Sequence, residues 1–211
     1  MPNSFSARAE GYANARPPLH AAIVERIQTV AANVLDAGCG AGLSTAPLLR
    51  IGSRVVGVEP ALEMLPWARG IAPGAQFVCA RSEALPFRDA SFELITAAGS
   101  LNYADPVAAF PELRRVVAAH GSLVVYDFAQ ADFPYDRAPD GSRPLSPGTL
   151  GEVQTSFRVA RAEPLELPVS MTHTQYLAYL KTEVEVSPPA FRESWELLFR
   201  GYIAWLTPAC P

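Results

Sequence analysis

Lysine is almost absent from this chain, since Lys181 is the only one among 211 residues and arginine supplies the rest of the positive charge. The formal net charge is −4, and no stretch clusters Lys and Arg. Because neutralising phosphates takes such clusters, this composition argues against a protein that binds nucleic acid through a basic surface. We therefore expect a small-molecule partner and no nucleic acid, with the oligomeric state left open.

Cysteines and long apolar runs are scarce as well. Cys39, Cys79 and Cys210 are an odd number at wide spacing, which indicates neither a disulfide framework nor a zinc site, so no metal is expected. No apolar run reaches the ~18–20 residues that cross a bilayer. The opening residues MPNSFSARAEGY contain no apolar core of a signal peptide. We expect a reduced, soluble, cytoplasmic protein without membrane insertion.

The first two thirds of the chain alternate short apolar runs with helical stretches, which is typical of βαβ units and a parallel sheet. Apolar residues make up 49% of the chain and charged residues 18%, enough for a real core. The predicted fold class is therefore α/β. Strands are predicted at NVLDAG, RVVGVE, AQFVCA, FELITAAG and SLVVYDF, and helices at residues 19–31, 44–52, 61–70 and 106–118.

The pattern changes after Phe128. Residues 129–151 are rich in Pro, Gly, Asp and Ser and indicate a loop or lid. EVQTSFRVA and LPVSMTH read as strands or irregular segments, TQYLAYLKTEV and AFRESWELLFRG as helices, and GYIAWLT as a last strand. We predict one domain over 1–211, with a cofactor-binding core at 8–130. A lid and substrate-covering insert would follow at 131–190, and a C-terminal helix and last strand at 191–211.

The strongest motif is a glycine-rich turn directly after the first predicted strand. In Asp36-Ala-Gly-Cys-Gly-Ala-Gly42 the glycines alternate, and glycine permits positive φ and close approach of a ligand to the backbone. Such turns lie at the carboxyl edge of a parallel sheet, where nucleotide-like ligands bind. Glu59 ends the next strand, and an acid there can accept hydrogen bonds from both hydroxyls of a ribose.

The spacing of the glycines narrows the choice of nucleotide. A dinucleotide fingerprint needs G-x-G-x-x-G, but its third glycine position is Leu43 here, and no Gly-Lys-Ser/Thr of the Walker type is present. This favours a ribose-bearing ligand without a pyrophosphate. The alternative is a tight turn that binds nothing.

Three further segments complete a resemblance to a known family. Val-Gly-Val-Glu59-Pro60…Met64-Leu65 follows the glycine turn, Arg81-Ser-Glu83-Ala-Leu85-Pro86-Phe87-x-Asp89-x-Ser91-Phe92-Glu93 comes next, and Tyr12-Ala-Asn-Ala-Arg16-Pro17 precedes the first strand. Together they resemble the class I S-adenosylmethionine-dependent methyltransferases over about residues 8–130. The nearest branch is the methyltransferase type 11 group, whose members include ubiquinone/menaquinone-biosynthesis-type and trans-aconitate-type enzymes.

The resemblance implies a Rossmann-like fold with a central, mostly parallel, seven-stranded sheet and helices on both faces. It also implies S-adenosyl-L-methionine as cofactor and methyl transfer to a small, fairly apolar metabolite at O, N or C. A glycine-turn backbone would hold the methionine part, and other positions the ribose, adenine, amino group or carboxylate. The implied cofactor-binding residues are Tyr12, Arg16, Asp36, Gly38, Cys39, Gly40, Glu59, Pro60, Met64, Arg81, Ser82, Glu83 and Ala97.

Within that set the expected roles differ. Glu59 would hold the ribose, Arg16 would close over the methionine carboxylate with Tyr12, and Ala97 would offer its carbonyl to the amino group. Asp36 would brace the glycine turn or reach the amino group through water. Arg81 departs from the family, which often has an aspartate there, so that either Glu83 or a backbone carbonyl would accept from the adenine amino group.

Residues for the transfer itself are harder to find. Many relatives have Leu-His after the fourth strand, where this chain has Leu101-Asn102, so that the expected base is missing. The candidates that would contact the acceptor are Asn102, Tyr103, Asp127 and His173. A substrate wall could include Phe133, Tyr135, Tyr176, Tyr179 and Trp195, although aromatic residues at helical spacing are more often core. His20 and His120 are read as packing or helix-end residues.

Three other functions remain open at this point. A cofactor-binding or regulatory protein without turnover would explain the missing histidine and Arg81. An NAD-dependent oxidoreductase shares the strand, glycine turn and acid, but Leu43 and the Leu-Pro-Phe segment oppose it. An RNA methyltransferase is disfavoured by the negative charge.

Overall fold

The computed structural model describes residues 9–131, 145–183 and 189–209. The predicted substrate-wall residues Phe133 and Tyr135, and Cys210, lie outside these ranges. The α-helices are α1 (Ala9–Ala15), α2 (Leu19–Val24), α3 (Thr45–Leu48), α4 (Leu65–Ile71), α5 (Pro106–Val116), α6 (Pro147–Val153) and α7 (His173–Leu180). The strands are β1 (Ala31–Ala37), β2 (Gly52–Val58), β3 (Gln76–Val78), β4 (Phe92–Ala98), β5 (Val117–Gln130), β6 (Phe157–Thr172) and β7 (Ser194–Pro208).

The seven strands form one sheet in the order β3-β2-β1-β4-β5-β7-β6. The first five strands are mutually parallel, and β7 pairs antiparallel with both β5 and β6. The predicted α/β class and the mostly parallel, seven-stranded sheet are confirmed. All five predicted strands of the first two thirds are present, although β5 is 14 residues long and therefore extends beyond SLVVYDF at both ends.

The parallel strands form because they carry apolar side chains on both faces, as strands covered on two sides must. On one face Val34 and Leu94 belong to a buried core that includes residues of α2 and α7. On the other face their neighbours Leu35 and Ile95 belong to a second buried core that includes residues of α5 and α6. The helices thus cover both faces of the sheet and leave its carboxyl edge free for a site.

The predicted C-terminal helix at AFRESWELLFRG is wrong, because this segment enters the long strand β7. Its apolar residues also alternate, since Leu197 and Phe199 are buried while Glu196 and Arg200 are exposed. A period of two suits a strand, and the sheet supplies partners on both sides of β7 that override the helix propensity of Glu and Leu.

The region assigned to a lid and insert, 131–190, also needs correction. Its described part contains β6, which runs for 16 residues as the sheet's edge strand and pairs with β7 along its length. Helix α6 belongs with the core on the α5 face through its buried Leu150. Much of this region is therefore part of the framework.

Candidate functional site

The glycine turn follows β1 and is tied to the neighbouring strand. The backbone N–H groups of Gly38 and Cys39 both donate to the carbonyl of Val58, at 2.9 Å each. Gly38, Gly40 and Gly42 have φ of +78°, +51° and +88°, in the region that favours glycine. The sequence needs glycine at these positions to turn the chain sharply at the end of β1.

Close packing adds a second requirement at two of the three glycines. A Cβ on Gly38 would lie 2.3 Å from Cβ of Ser100, and one on Gly42 would lie 2.9 Å from Cα of Ala68. A Cβ on Gly40 would meet no atom within 4 Å. Gly40 therefore borders open space, and its missing side chain leaves room for a ligand.

Glu59 comes directly after β2 and reaches across to the turn. Its Oε2 accepts from the N–H of Gly40 at 3.1 Å, and its Oε1 accepts from the N–H of Ala61 at 2.9 Å. Burial raises the pKa of this carboxyl, and the two amide donors act against that rise. A carboxylate has about four acceptor positions, so about two remain on Glu59 for further donors.

A cavity of about 960 Å³ extends along the carboxyl edge of the sheet. Glu59 follows β2 and Asp127 lies near the end of β5, and both line this cavity. Three inter-strand spacings separate β2 from β5, which is roughly 14 Å at about 4.8 Å each. We call the side near Glu59 the nucleotide end and the side near Asp127 the acceptor end.

The segment after β3 contributes Arg81, Ser82 and Glu83 to the nucleotide end. Arg81 Nη2 lies 2.8 Å from Glu83 Oε1, and the same oxygen accepts from the backbone N–H of Asp105 at 3.1 Å. Arg115 of α5 donates to the carbonyls of Leu85 and Phe87, which fixes the chain just beyond. Glu83 thus links this segment to the start of α5.

Arg16 lies between two tyrosines on the side of the cavity formed by the N-terminal helices. Its guanidinium is 4.3 Å from the centre of the Tyr12 ring and 5.5 Å from that of Tyr179. Nη1 of Arg16 lies 2.5 Å from Oε1 of Glu183, whose side chain is only 6% exposed. The cation is therefore held at the cavity by aromatic rings and a carboxylate.

The acceptor end contains a hydrogen-bonded carboxylate. Asn102 Nδ2 donates to Asp127 Oδ2 at 2.6 Å, and the backbone N–H of Phe128 donates to Oδ1 at 2.8 Å. The other end of the Asn102 amide accepts from the N–H of Leu145 at 2.8 Å. Burial raises the pKa of Asp127, while the Asn102 and Phe128 donors lower it. Tyr103 lies beside this pair on the cavity wall.

Residues 35–125 match the family model described as a methyltransferase domain. This match agrees with the predicted resemblance to class I methyltransferases, a family whose cofactor is the predicted S-adenosylmethionine. An uncharacterized methyltransferase of Mycobacterium tuberculosis is 32% identical over 124 residues, 58% of this chain and 51% of that protein. Demethylmenaquinone methyltransferase of Renibacterium salmoninarum is 36% identical over 101 residues, which are 47% and 43% of the two chains.

Solved structures share the fold at low identity. A TehB-like S-adenosylmethionine-dependent methyltransferase of Corynebacterium glutamicum superposes with a TM-score of 0.60 at 19% identity, over 96% of this chain and 99% of that one. The alignments to curated relatives are shorter. In them the chain spans about half the length of the curated relatives it matches. No helix within the described ranges is long and apolar enough to cross a membrane.

Most of the predicted site residues line one cavity. The structure brings together both the candidate cofactor ligands and the candidates for contact with the acceptor. The predicted residues on the cavity wall are Tyr12, Arg16, Gly38, Cys39, Gly40, Glu59, Pro60, Met64, Arg81, Ser82, Glu83, Asn102, Tyr103 and Asp127.

Two predicted cofactor ligands lie behind the wall of the cavity. Asp36 is fully buried and accepts from Ser44 Oγ and Thr45 Oγ1 at 2.7 Å each, and from Thr96 Oγ1 at 3.2 Å. It braces the glycine turn, which was one of its two expected roles. Ala97 is also fully buried in the core, and Ala98 and Gly99 line the cavity in its place.

His173 is outside the cavity, so its predicted contact with substrate is corrected. It begins α7, where Trp195 Nε1 donates to His173 Nδ1 at 3.2 Å and the two rings stack. Trp195 and Tyr176 pack in this same aromatic group and do not line the cavity. Among the described aromatic residues of the predicted substrate wall, Tyr179 alone reaches it.

The cavity residues that were not assigned to the site from the sequence include His20 and Tyr202. His20 of α2 lies on the wall, with Nδ1 3.0 Å from Oη of the buried Tyr126. Burial, with a smaller effect of the Arg16 charge, lowers the pKa of His20 to about 4, so it is neutral at pH 7. Tyr202 of β7 lies opposite Asp127. The alternation of buried and exposed residues along β7 could have placed Tyr202 on the face of the sheet that borders the cavity. The sequence around His20 gives no sign that it lines a cavity.

Cys39 lies within the glycine turn, and its thiol is unreactive. Burial, with the nearby charges of Asp36 and Glu59, raises the pKa of its thiol well above its usual range. The thiolate is the reactive form of cysteine, so a raised pKa keeps this side chain unreactive. Its role is packing, since its Sγ lies against Gly57, where an added Cβ would be only 2.8 Å away.

Proposed function

We propose that this protein transfers the methyl group of S-adenosylmethionine to a small molecule bound in the same cavity. The observation that carries the proposal is the contact between Glu59 and Gly40 at the carboxyl edge of the sheet. It joins an acid at the end of β2 to a glycine turn at the end of β1, and both border the cavity. That arrangement suits a ribose and the chain attached to it.

The residues present suit this cofactor. Two acceptor positions of Glu59 remain for the ribose hydroxyls, and the open space at Gly40 accommodates the methionine part beside the backbone. Pro60 and the buried Met64 offer apolar surface for the adenine. Arg16 would bind the methionine carboxylate, for which a guanidinium has suitable geometry.

The cavity also leaves room for a methyl acceptor. It has about 960 Å³, at the upper end of the roughly 300–1,000 Å³ of small-molecule sites, and continues to Asp127 beyond the nucleotide end. Bound S-adenosylmethionine supplies an activated methyl group on a sulfonium. The chain's own contribution is to hold the acceptor in line, and such orientation can lower a barrier by about 7–11 kcal/mol.

The predicted setting belongs to this proposal. A net charge of −4 with one lysine supports a small-molecule acceptor over a nucleic acid. The two free cysteines within the described residues, Cys39 and Cys79, are compatible with the reducing cytoplasm.

Two experiments in sequence test the proposal. Calorimetry with S-adenosylhomocysteine should give a one-to-one complex, and no binding at millimolar concentration would remove the proposal. Incubation with methyl-labelled S-adenosylmethionine and a metabolite extract should then label a small molecule. A protein that binds S-adenosylhomocysteine but methylates no small molecule would support the alternative of a cofactor-binding regulatory protein.

A further inference from the structure

Asp127 and Tyr202 form a cross-strand pair at the acceptor end. They are direct partners in the antiparallel register of β5 and β7, so their side chains leave the same face of the sheet with Cβ atoms about 5 Å apart. Both line the cavity, together with Asn102. We call Asn102, Asp127 and Tyr202 the acceptor-end cluster.

The carboxylate of this cluster has spare acceptor capacity and no cation on it. Asn102 and the N–H of Phe128 use two of its roughly four acceptor positions. Among the residues the structure describes, no Arg, Lys or His nitrogen lies within 4.0 Å of its oxygens. The nearest cation along β7 on this face, Arg200, also lines the cavity but lies 3.3 Å from Glu166, which pairs with it. A ligand group here meets an unneutralised carboxylate.

Tyr202 supplies a hydrogen-bond donor that complements the carboxylate of Asp127. In the described part of the chain its phenol oxygen is buried and has no hydrogen-bond partner. Burial raises the pKa of Tyr202 and the Asp127 charge adds to this rise, so the phenol keeps its proton. Buried polar groups are ordinarily paired, so an unused donor beside a cavity indicates a partner that is not part of the protein.

Resting on the proposed function, we propose that the acceptor end selects a hydroxyl-bearing methyl acceptor, an alcohol or phenol, and rejects a carboxylate. A hydroxyl both donates and accepts, so one group serves Asp127 and Tyr202 together. A carboxylate offers no proton to Asp127 and places a second negative charge beside it. Asn102 positions Asp127 by holding Oδ2, and Leu145 in turn holds the Asn102 amide.

The test compares two aromatic probes of similar shape on protein already saturated with S-adenosylhomocysteine. Calorimetry should give 2-naphthol a dissociation constant about tenfold or more below that of 2-naphthoate. Asp127→Asn should bring the two constants to within about threefold, because the repulsion of naphthoate is gone. Glu25→Gln removes one negative charge from an exposed side chain away from the cavity and should leave the ratio unchanged.

Equal affinities in the wild type, or a ratio that survives Asp127→Asn, would overturn the proposal. Failure of the protein to bind S-adenosylhomocysteine at all would instead overturn the proposed function. Tyr202→Phe separates binding from a structural role. It should raise Tm, since a buried unpaired hydroxyl is removed, while weakening 2-naphthol several-fold. Unchanged naphthol affinity in Tyr202→Phe would contradict the hydroxyl assignment.

Discussion

Replacing Glu59 by glutamine is the sharpest test of the nucleotide end. Glutamine keeps the size of the side chain but has one acceptor oxygen and one NH₂ group in place of two acceptor oxygens. In the structure both oxygens are engaged, with the N–H groups of Gly40 and Ala61. One of those amides therefore faces an NH₂ group in the variant, and one edge of the side chain no longer accepts from a ribose hydroxyl.

The expected loss follows from the contacts. A hydrogen bond to a charged group contributes about 1.5–3 kcal/mol, and about 1.4 kcal/mol corresponds to a factor of ten in affinity. Loss of one charge-assisted contact to the ribose thus weakens S-adenosylhomocysteine about tenfold to a hundredfold. Truncation to alanine removes both contacts and should weaken binding at least as much.

Isothermal calorimetry measures this change directly, with Tm recorded for each variant to confirm that it is folded. Glu25→Gln is the matched control, because that carboxylate is 69% exposed in a surface pair with Arg50 and does not line the cavity. It should bind like the wild type. A folded Glu59→Gln protein with a dissociation constant within threefold of wild type would refute the ribose assignment.

Three further outcomes are expected. Gly38→Ala should lower Tm severely because its Cβ would lie 2.3 Å from Cβ of Ser100. Gly40→Ala meets no atom and should lower Tm only modestly, through the strain of its φ of +51°, while losing S-adenosylhomocysteine affinity in calorimetry. The pKa of His20 is lowered to about 4, so the unfolded chain binds this proton first as the pH falls. The free energy of unfolding should therefore decrease between pH 6.5 and 4, by up to about 3 kcal/mol. His20→Phe should flatten that part of the pH profile measured by urea unfolding. Asp36→Ala leaves the hydroxyls of Ser44 and Thr45 without their acceptor, while Thr96 keeps the Leu35 carbonyl, and should cost about 2 kcal/mol or more in the same assay.

The parallel half of the sheet and the nucleotide end were predictable because their signals are local. Val34-Leu35 and Val55-Val56 are buried on both faces, which sequence shows as unbroken apolar runs. The glycine turn and Glu59 are fixed by their places directly after two such strands. Backbone chemistry within a few residues of each motif decides where these groups lie.

The C-terminal third was harder to predict because its structure depends on distant partners. The segment AFRESWELLFRG is rich in residues that favour helices. In the fold, β5 and β6 supply hydrogen-bond partners along β7, and the local sequence does not indicate them. The error at His173 has this cause, whereas Tyr202 lies in GYIAWLT, which was correctly predicted as a strand but without its partner in the sheet. With residues 190–201 predicted as a helix, the stacking of Trp195 on His173 could not be foreseen, and the strand containing Tyr202 gave no sign that it pairs with Asp127.

The position of Asp127 shows why the acceptor end cannot be read from its own segment. Two glycines from other strands and loops border this residue: a Cβ on Gly99 would lie 2.9 Å from Asp127 Oδ1, and one on Gly201 would lie 1.9 Å from the Asp127 carbonyl oxygen. Gly99 also has a φ of +66°. The carboxylate therefore occupies space that Gly99 leaves by lacking a side chain, and the backbone of Asp127 occupies space that Gly201 leaves. Because residues 99, 127 and 201 meet only after β4, β5 and β7 have assembled, the chemistry at the acceptor end depends on the order of the strands, whereas the glycine turn and Glu59 belong to a single βαβ unit.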